Sequence, residues 1–83
     1  MNLELAILLT LLAEKGELEA TAIRRKAGEF VAPQTLADVQ QAIRTLEEKG
    51  HILGTEGPRE DDAGRNIPVF TLTTKGKLRA IRQ

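Results

Sequence analysis

Apolar residues crowd the first fifteen positions of the chain almost without a break, whereas beyond residue 33 apolar and polar positions recur first with a helical and then with a strand-like rhythm. Residues 1–15 carry long unbranched helix formers, with Asn2 available as a cap and Gly16 to end the run, and predict a first helix. At 100° per residue, Leu3, Leu5, Ile7, Leu8, Leu9, Leu11 and Leu12 spread over more than one stripe. A helix apolar nearly all round must be buried nearly all round. In so short a chain the other helices would cover one side. Either a second copy then covers the rest, with Leu5, Leu8, Leu9 and Leu12 forming a homodimer interface, or the helix is central to the core of a monomer.

Glu17 to Glu19 reads as a short link, and residues 20–27 as a second helix ended by Gly28. Ala22, Ile23 and Ala27 form its inward face. Arg24, Arg25 and Lys26 cluster near its C-terminus, where cations suit the helix dipole. Either Phe30 or Val31 is expected to tuck into the core from the following loop. A third helix is predicted over residues 33–49, stopping at Gly50, with Pro33 at its first position or Thr35 and Asp38 forming a later cap. Leu36, Val39, Ile43 and Leu46, spaced 3, 4 and 3, form one buried stripe. Opposite lie Gln34, Asp38, Gln41, Arg44, Thr45 and Glu48, half of them able both to donate and to accept hydrogen bonds.

After Gly50 the period shortens. Ile52 to Thr55 and Val69 to Thr73 are strand-prone, and the polar, glycine-containing stretch between them predicts a hairpin with a long loop over residues 52–73. Pro68 marks the start of the returning strand. Thr73 or Thr74 caps a final helical segment over 74–83, with Leu78 and Ile81 inward and Lys75, Lys77, Arg79 and Arg82 outward. The expected architecture is α+β: three helices, a two-stranded hairpin and a short C-terminal helix, in one domain over residues 1–83.

Composition narrows the function classes. Eighty-three residues hold one core at most, and 41% hydrophobic with 29% charged residues is an ordinary globular balance. No cysteine is present, so disulfides and thiolate metal sites are excluded and a reducing, cytoplasmic compartment is permitted. The apolar run from Leu3 to Ala13 is interrupted by Glu4 and Thr10 and is too short for a membrane span, and with Glu4 before it and Glu14 and Lys15 after it the run lacks the basic start and cleavage site of a secretory signal. With no serine, cysteine or tyrosine, and a single histidine, His51, the chain lacks the usual nucleophiles and any metal cluster, so an enzyme is not expected and no metal or other cofactor is implied. The adjacent Asp61 and Asp62 read as a solvated turn, and His51 as a partly buried boundary residue. Net charge is zero but unevenly spread: residues 1–62 hold seven Lys and Arg against twelve Asp and Glu, and residues 63–83 hold five against none.

Two stretches carry a resemblance. Ala42-Ile43-Arg44-Thr45-Leu46-Glu47-Glu48-Lys49-Gly50-His51-Ile52 resembles the end of the recognition helix and the turn into the wing of PadR-like and MarR-like regulators. Gly64-Arg65-Asn66-Ile67-Pro68-Val69-Phe70-Thr71-Leu72-Thr73-Thr74-Lys75-Gly76 is similar to the returning wing strand and helix start of PadR-like proteins. The resemblance implies a winged helix-turn-helix that binds double-stranded DNA as a dimer through the third helix and the wing. Gln34, Thr35, Gln41, Arg44 and Thr45 are the expected base contacts, since glutamine matches adenine and arginine matches guanine in the major groove. Arg24, Arg25, Lys26, Arg59, Arg65, Lys75 and Lys77 are the expected phosphate contacts. A solvated helix face and ordinary solubilising cations are the competing readings of the same residues. Zero net charge, the acidic loop at Glu60, Asp61 and Asp62, and the apolar first helix fit a rival of another class, a winged helix used as a protein-protein adaptor.

Overall fold

In the computed structural model, which describes residues 1–82, the elements run α1 (Leu3–Glu14), β1 (Leu18–Glu19), α2 (Ala20–Ala27), α3 (Leu36–Glu48), β2 (Ile52–Glu60), β3 (Asn66–Leu72) and α4 (Thr74–Arg82). Residue 83, the last of the expected C-terminal segment, lies outside the described residues. The three strands form an antiparallel sheet in the order β1-β3-β2. Among the described residues, no helix is long and apolar enough to cross a membrane.

Asn2 caps α1 as expected, its Oδ1 accepting from the Leu5 N–H at 2.8 Å. The helix stops one residue before the predicted end. Lys15 adopts the left-handed conformation (φ 53°), and its N–H bonds back to the Leu11 carbonyl at 3.1 Å, a role the sequence assigned to Gly16. α1 is the central helix and packs against α2, α3, β3 and α4, so Ala6, Ile7, Leu8, Thr10 and Leu11 are all buried. The Thr10 hydroxyl avoids an unpaired buried donor by bonding to the Ala6 carbonyl at 2.8 Å.

The remaining core comes from one face of each element. Ile23 from α2, the Val39, Ile43 and Leu46 stripe of α3, Ile52 from β2, Phe70 from β3 and Ala80 from α4 join Ile7, Leu8 and Leu11. Truncating one such leucine to alanine costs about 2–5 kcal/mol, which makes this stripe the anchor of α3. Neither Phe30 nor Val31 reaches the core; Phe30 is exposed and Val31 half-buried. Their place is taken by Leu18, which packs against the core from β1, a two-residue strand where the sequence suggested only a link.

α3 begins with Thr35 as its cap, the hydroxyl accepting from Asp38 N–H at 3.1 Å, so Pro33 lies before the helix rather than in its first turn. It ends in a Schellman arrangement: Gly50 (φ 75°) donates to Glu47 at 2.9 Å and His51 donates to Leu46 at 2.9 Å.

The hairpin is longer than predicted and its loop shorter. β2 continues through Gly57 and Pro58 to Glu60, and β3 begins at Asn66, leaving only residues 61–65 as the tip. Pairing shifts between Glu56↔Pro68 and Glu60↔Asn66, a bulge that absorbs the extra residues of β2 and with them Pro58. Pro68 is tolerated inside β3 because β1 pairs only with Val69 and Phe70, so no neighbour on that side needs its missing N–H. At the tip, Asp61 Oδ1 accepts from the N–H groups of Ala63 (2.9 Å) and Arg65 (3.0 Å), closing the turn.

α4 lies the other way up from the sequence expectation. Gly76 and Ala80 face the domain, while Leu78 and Ile81 are 46% and 65% exposed. A Cβ on Gly76 would overlap the His51 carbonyl oxygen, so backbone meets backbone there and no larger side chain fits. The half-buried Arg79, expected outward, bonds instead to Glu4 and His51.

Candidate nucleic-acid interface

Because α3 sinks Val39, Ile43 and Leu46 into the core, geometry at 100° per residue leaves Ala37, Gln40, Gln41, Arg44, Glu47 and Glu48 on the open side, and all six are exposed. Arg44 lies near the middle of this face. Its Nη2 donates to Gln41 Oε1 at 2.9 Å, so the two side chains are joined across one helical turn.

The other expected base contacts are differently placed. Thr45 is half-buried and its hydroxyl donates to the Gln41 carbonyl at 3.2 Å. Thr35 spends its hydroxyl on the helix cap. Gln34 is half-buried before the helix, its side chain donating to Ala32 O at 3.1 Å and its carbonyl accepting from Arg24 Nε at 2.8 Å. Gln40 was not among the expected contacts, yet it is exposed beside Arg44; its angular position 40° from Leu36 and 40° from Arg44 is the signal that finds it.

The cations divide into groups. Arg24 and Arg25 line, with Thr21, Gly28, Pro33 and Gln34, an open cleft of about 390 Å³ between α2 and the start of α3. Lys26 points away from that cleft, toward α1, and pairs with Glu14 at 3.1 Å. On the hairpin, Arg59 is engaged by Glu19 at 2.9 Å, while Arg65 is exposed at the tip with no carboxylate within 4 Å among the described residues. Lys75 and Lys77 sit on α4; Lys77 borders a groove with Leu11, Leu12, Lys15 and Leu72 that shares no residue with the α2–α3 cleft. The structure thus unites Arg24, Arg25 and Gln34 in one cleft between α2 and the segment that leads into α3, and leaves Lys26, Lys75 and Lys77 elsewhere.

Of the leucines expected at a dimer interface, Leu8 is fully buried within the protomer and offers no surface to a partner. Leu9 and Leu12 pack partly against the core, and Leu5 is half-buried. α1 therefore lacks the broad exposed apolar side that its composition suggested, because α4 and β3 cover it.

A second cluster, unrelated to the α3 face, joins α1, the end of α3 and α4. Glu4 Oε1 accepts from Lys49 Nζ and Arg79 Nη1, both at 3.0 Å, and Arg79 Nη1 lies 3.2 Å from His51 Nδ1. The Lys49 hydrogen bond, aided by Arg79 and opposed by burial, holds the Glu4 carboxyl below its ordinary value. Burial first, then the nearby Arg79, Lys75 and Lys49 charges, hold the His51 ring below its own. Nothing in the sequence pattern pointed to this cluster, since Glu4 and Arg79 are 75 positions apart.

No protein-family model matches the chain, and no curated protein matches it by sequence. Solved structures do match its fold. A PadR family transcription regulator from Clostridium difficile R20291 superposes with a TM-score of 0.76 at 20% identity, over 95% of this chain and 79% of that one. PadR from Bacillus subtilis, crystallised with operator DNA, superposes with a TM-score of 0.78 at 24% identity over 95% of this chain, which spans 44% of that protein. A MarR family regulator from Neisseria meningitidis gives 0.67 at 28% identity, over 96% of this chain and 50% of that one. Element order, sheet topology and these superpositions together make the chain a winged helix-turn-helix domain, on the architecture that PadR and MarR family regulators share.

Proposed function

We propose that this chain is a sequence-specific binder of double-stranded DNA acting as a small transcriptional regulator, with α3 entering the major groove and the β2–β3 hairpin lying along the backbone. The observation that carries the reading is the open polar face of α3, where Gln40, Gln41 and Arg44 stand exposed opposite a stripe locked into the core. Arginine matches guanine O6 and N7, and glutamine matches adenine N6 and N7. Arg24 and Arg25 flank the start of that helix, where phosphates would pass, and Arg65 extends from the hairpin tip. The Bacillus subtilis neighbour was crystallised with operator DNA, which supports duplex DNA as the partner of this fold.

Such a reader works on two half-sites, and a second copy of the chain supplies the second α3. The half-buried ridge of Leu5, Leu9 and Leu12 is the part of α1 left for that contact, to be checked by sedimentation of the protein alone. A cytoplasmic compartment suits both the chemistry and a chain without cysteine.

The test is binding to random-sequence and selected duplexes across a salt series. A DNA reader shows affinity falling steeply with salt, and selection returns a preferred sequence. Binding that stays undetectable at low salt, while a basic protein partner is retained, would reverse the assignment in favour of an adaptor; Glu47 and Glu48 on the open side of α3, the exposed Asp38 in its first turn, Glu60 at the end of β2 and Asp62 in the tip are the features that favour it.

A further inference from the structure

The turn between α3 and β2 and the underside of α4 are built around the chain's single histidine, whose position is fixed by backbone alone. The Schellman bond from His51 N–H to Leu46 sets the residue at the end of α3, and its carbonyl accepts from Thr73 N–H at 3.1 Å. Thr73 completes the joint: its hydroxyl donates to Gly50 O at 2.6 Å and accepts from Gly76 N–H at 3.1 Å, capping α4. The side chain of His51, only 9% exposed, then meets Arg79 one turn further along the helix.

A guanidinium has five N–H donors and no acceptor, so at 3.2 Å from Arg79 Nη1 the Nδ1 of His51 must be the acceptor. The ring is therefore neutral with its proton on Nε2. The charged groups facing it are Glu4 from α1, Lys49 from the end of α3, and Lys75 and Arg79 from α4. One carboxylate, already shared by Lys49 and Arg79, answers three cations. Apart from the Arg79–Glu4 pair to α1, α4 is held by small contacts: Leu78 and Ile81 are outside, and only Gly76 and Ala80 are buried.

We propose that His51 and Arg79 form a proton-sensitive latch on α4. With the ring neutral, the Arg79 N–H to Nδ1 bond holds the C-terminal turns of the helix on the domain. A proton taken from solvent onto Nδ1 sets two donors and two positive charges against each other, and the turns from Lys77 onward swing away while α1–α3 and the hairpin remain folded. Release uncovers the apolar seat of Ala80 and detaches the basic end of the chain, changing what this surface presents to a partner. The latch does not depend on DNA recognition by α3.

The direction follows from linkage. Burial and the surrounding cations depress the ring in the docked state, so the docked form is favoured above the ordinary histidine value of 6.5 and loses that advantage as pH falls below it. Between the released and docked pKa values, the docking equilibrium changes about tenfold per pH unit, because each unit of pKa difference is a tenfold difference in proton affinity.

A lone histidine makes the test unambiguous. In NMR spectra of the full chain between about pH 8 and about pH 5, the ring of His51, the Ala80 methyl and the amides of residues 77–81 should change with one common midpoint below 6.5. Amide protection in α4 should fall about tenfold per pH unit across that window while β2 and β3 stay protected. His51→Gln keeps an oxygen for Arg79 but cannot titrate, and should abolish the step. If the ring titrates while α4 does not respond, if α4 responds equally in H51Q, or if ring nitrogen shifts place the proton on Nδ1 at neutral pH, the latch is wrong. Should H51Q fail to fold, Arg79→Gln replaces it: removing the facing cation should raise the ring midpoint toward 6.5 and uncouple it from α4, and an unmoved midpoint overturns the proposal.

Discussion

α3 and α4 are both amphipathic by sequence, yet they use their faces in opposite ways. α3 buries the large apolar side chains Val39, Ile43 and Leu46 and presents glutamine and arginine. α4 buries glycine and alanine, draws an arginine inward and leaves leucine and isoleucine outside. The difference lies in what each helix rests on. α3 rests on side chains of α1 and α2, which a stripe of branched residues fills, whereas α4 meets the backbone of His51 at Gly76, where only a residue without a side chain fits, and adds just the small Ala80 to the core. Hydrophobic period therefore predicts the buried face only where the contact is made by side chains.

Leu46→Ala should be the most damaging change that bears on this contrast, costing about 2–5 kcal/mol in urea unfolding as a fully buried stripe residue. A cost near zero would mean that α3 is not anchored as described. Gly76→Ala should follow at about 1–3 kcal/mol, since α4 must move off the His51 carbonyl to admit a methyl group. Ile81→Ala, by contrast, should stay within about 0.5 kcal/mol. If Ile81→Ala proved the costlier of the two, α4 would sit as the sequence period suggests.

Arg44→Ala should leave unfolding unchanged within about 0.5 kcal/mol and weaken binding to a selected duplex by about 1–3 kcal/mol, measured by fluorescence anisotropy. Equal losses of stability and binding would remove Arg44 from the reading face. Glu4→Gln should cost no more than about 1 kcal/mol near neutral pH, because the Lys49 and Arg79 bonds are partly exposed. Glu4 is held below its ordinary 4.5, so its contribution is complete above that value and is lost as pH falls through and beneath it; the variant should show a shallower acid limb in thermal melts taken across that range.

Much of this was legible in the residues. Asn2, Thr35 and Gly50 marked helix ends because capping is local chemistry, and the 3, 4, 3 spacing of α3 marked its buried side because that side meets other side chains. The proposed reading face was legible in part: Gln41 and Arg44 stand open, whereas Thr35 and Thr45 turn their hydroxyls to local bonds and Gln34 lies before the helix. The hairpin was misjudged in length because Pro58 and Pro68 argue against strand, and only the bulge and the absence of a neighbour beside Pro68 let them in.

Order and type of the helices and the hairpin, the caps at Asn2, Thr35 and Gly50, and the apolar stripe of α3 were determined by the sequence itself, because each depends on residues within a turn or two of one another. Tertiary structure alone decided that α1 is covered by α4 and β3, that α4 lies on its glycine, and that Glu4, Lys49, His51 and Arg79 converge. Those outcomes depend on contacts between distant parts of the chain, where the space available and the charge already present, rather than the period of the sequence, select which side chain turns inward.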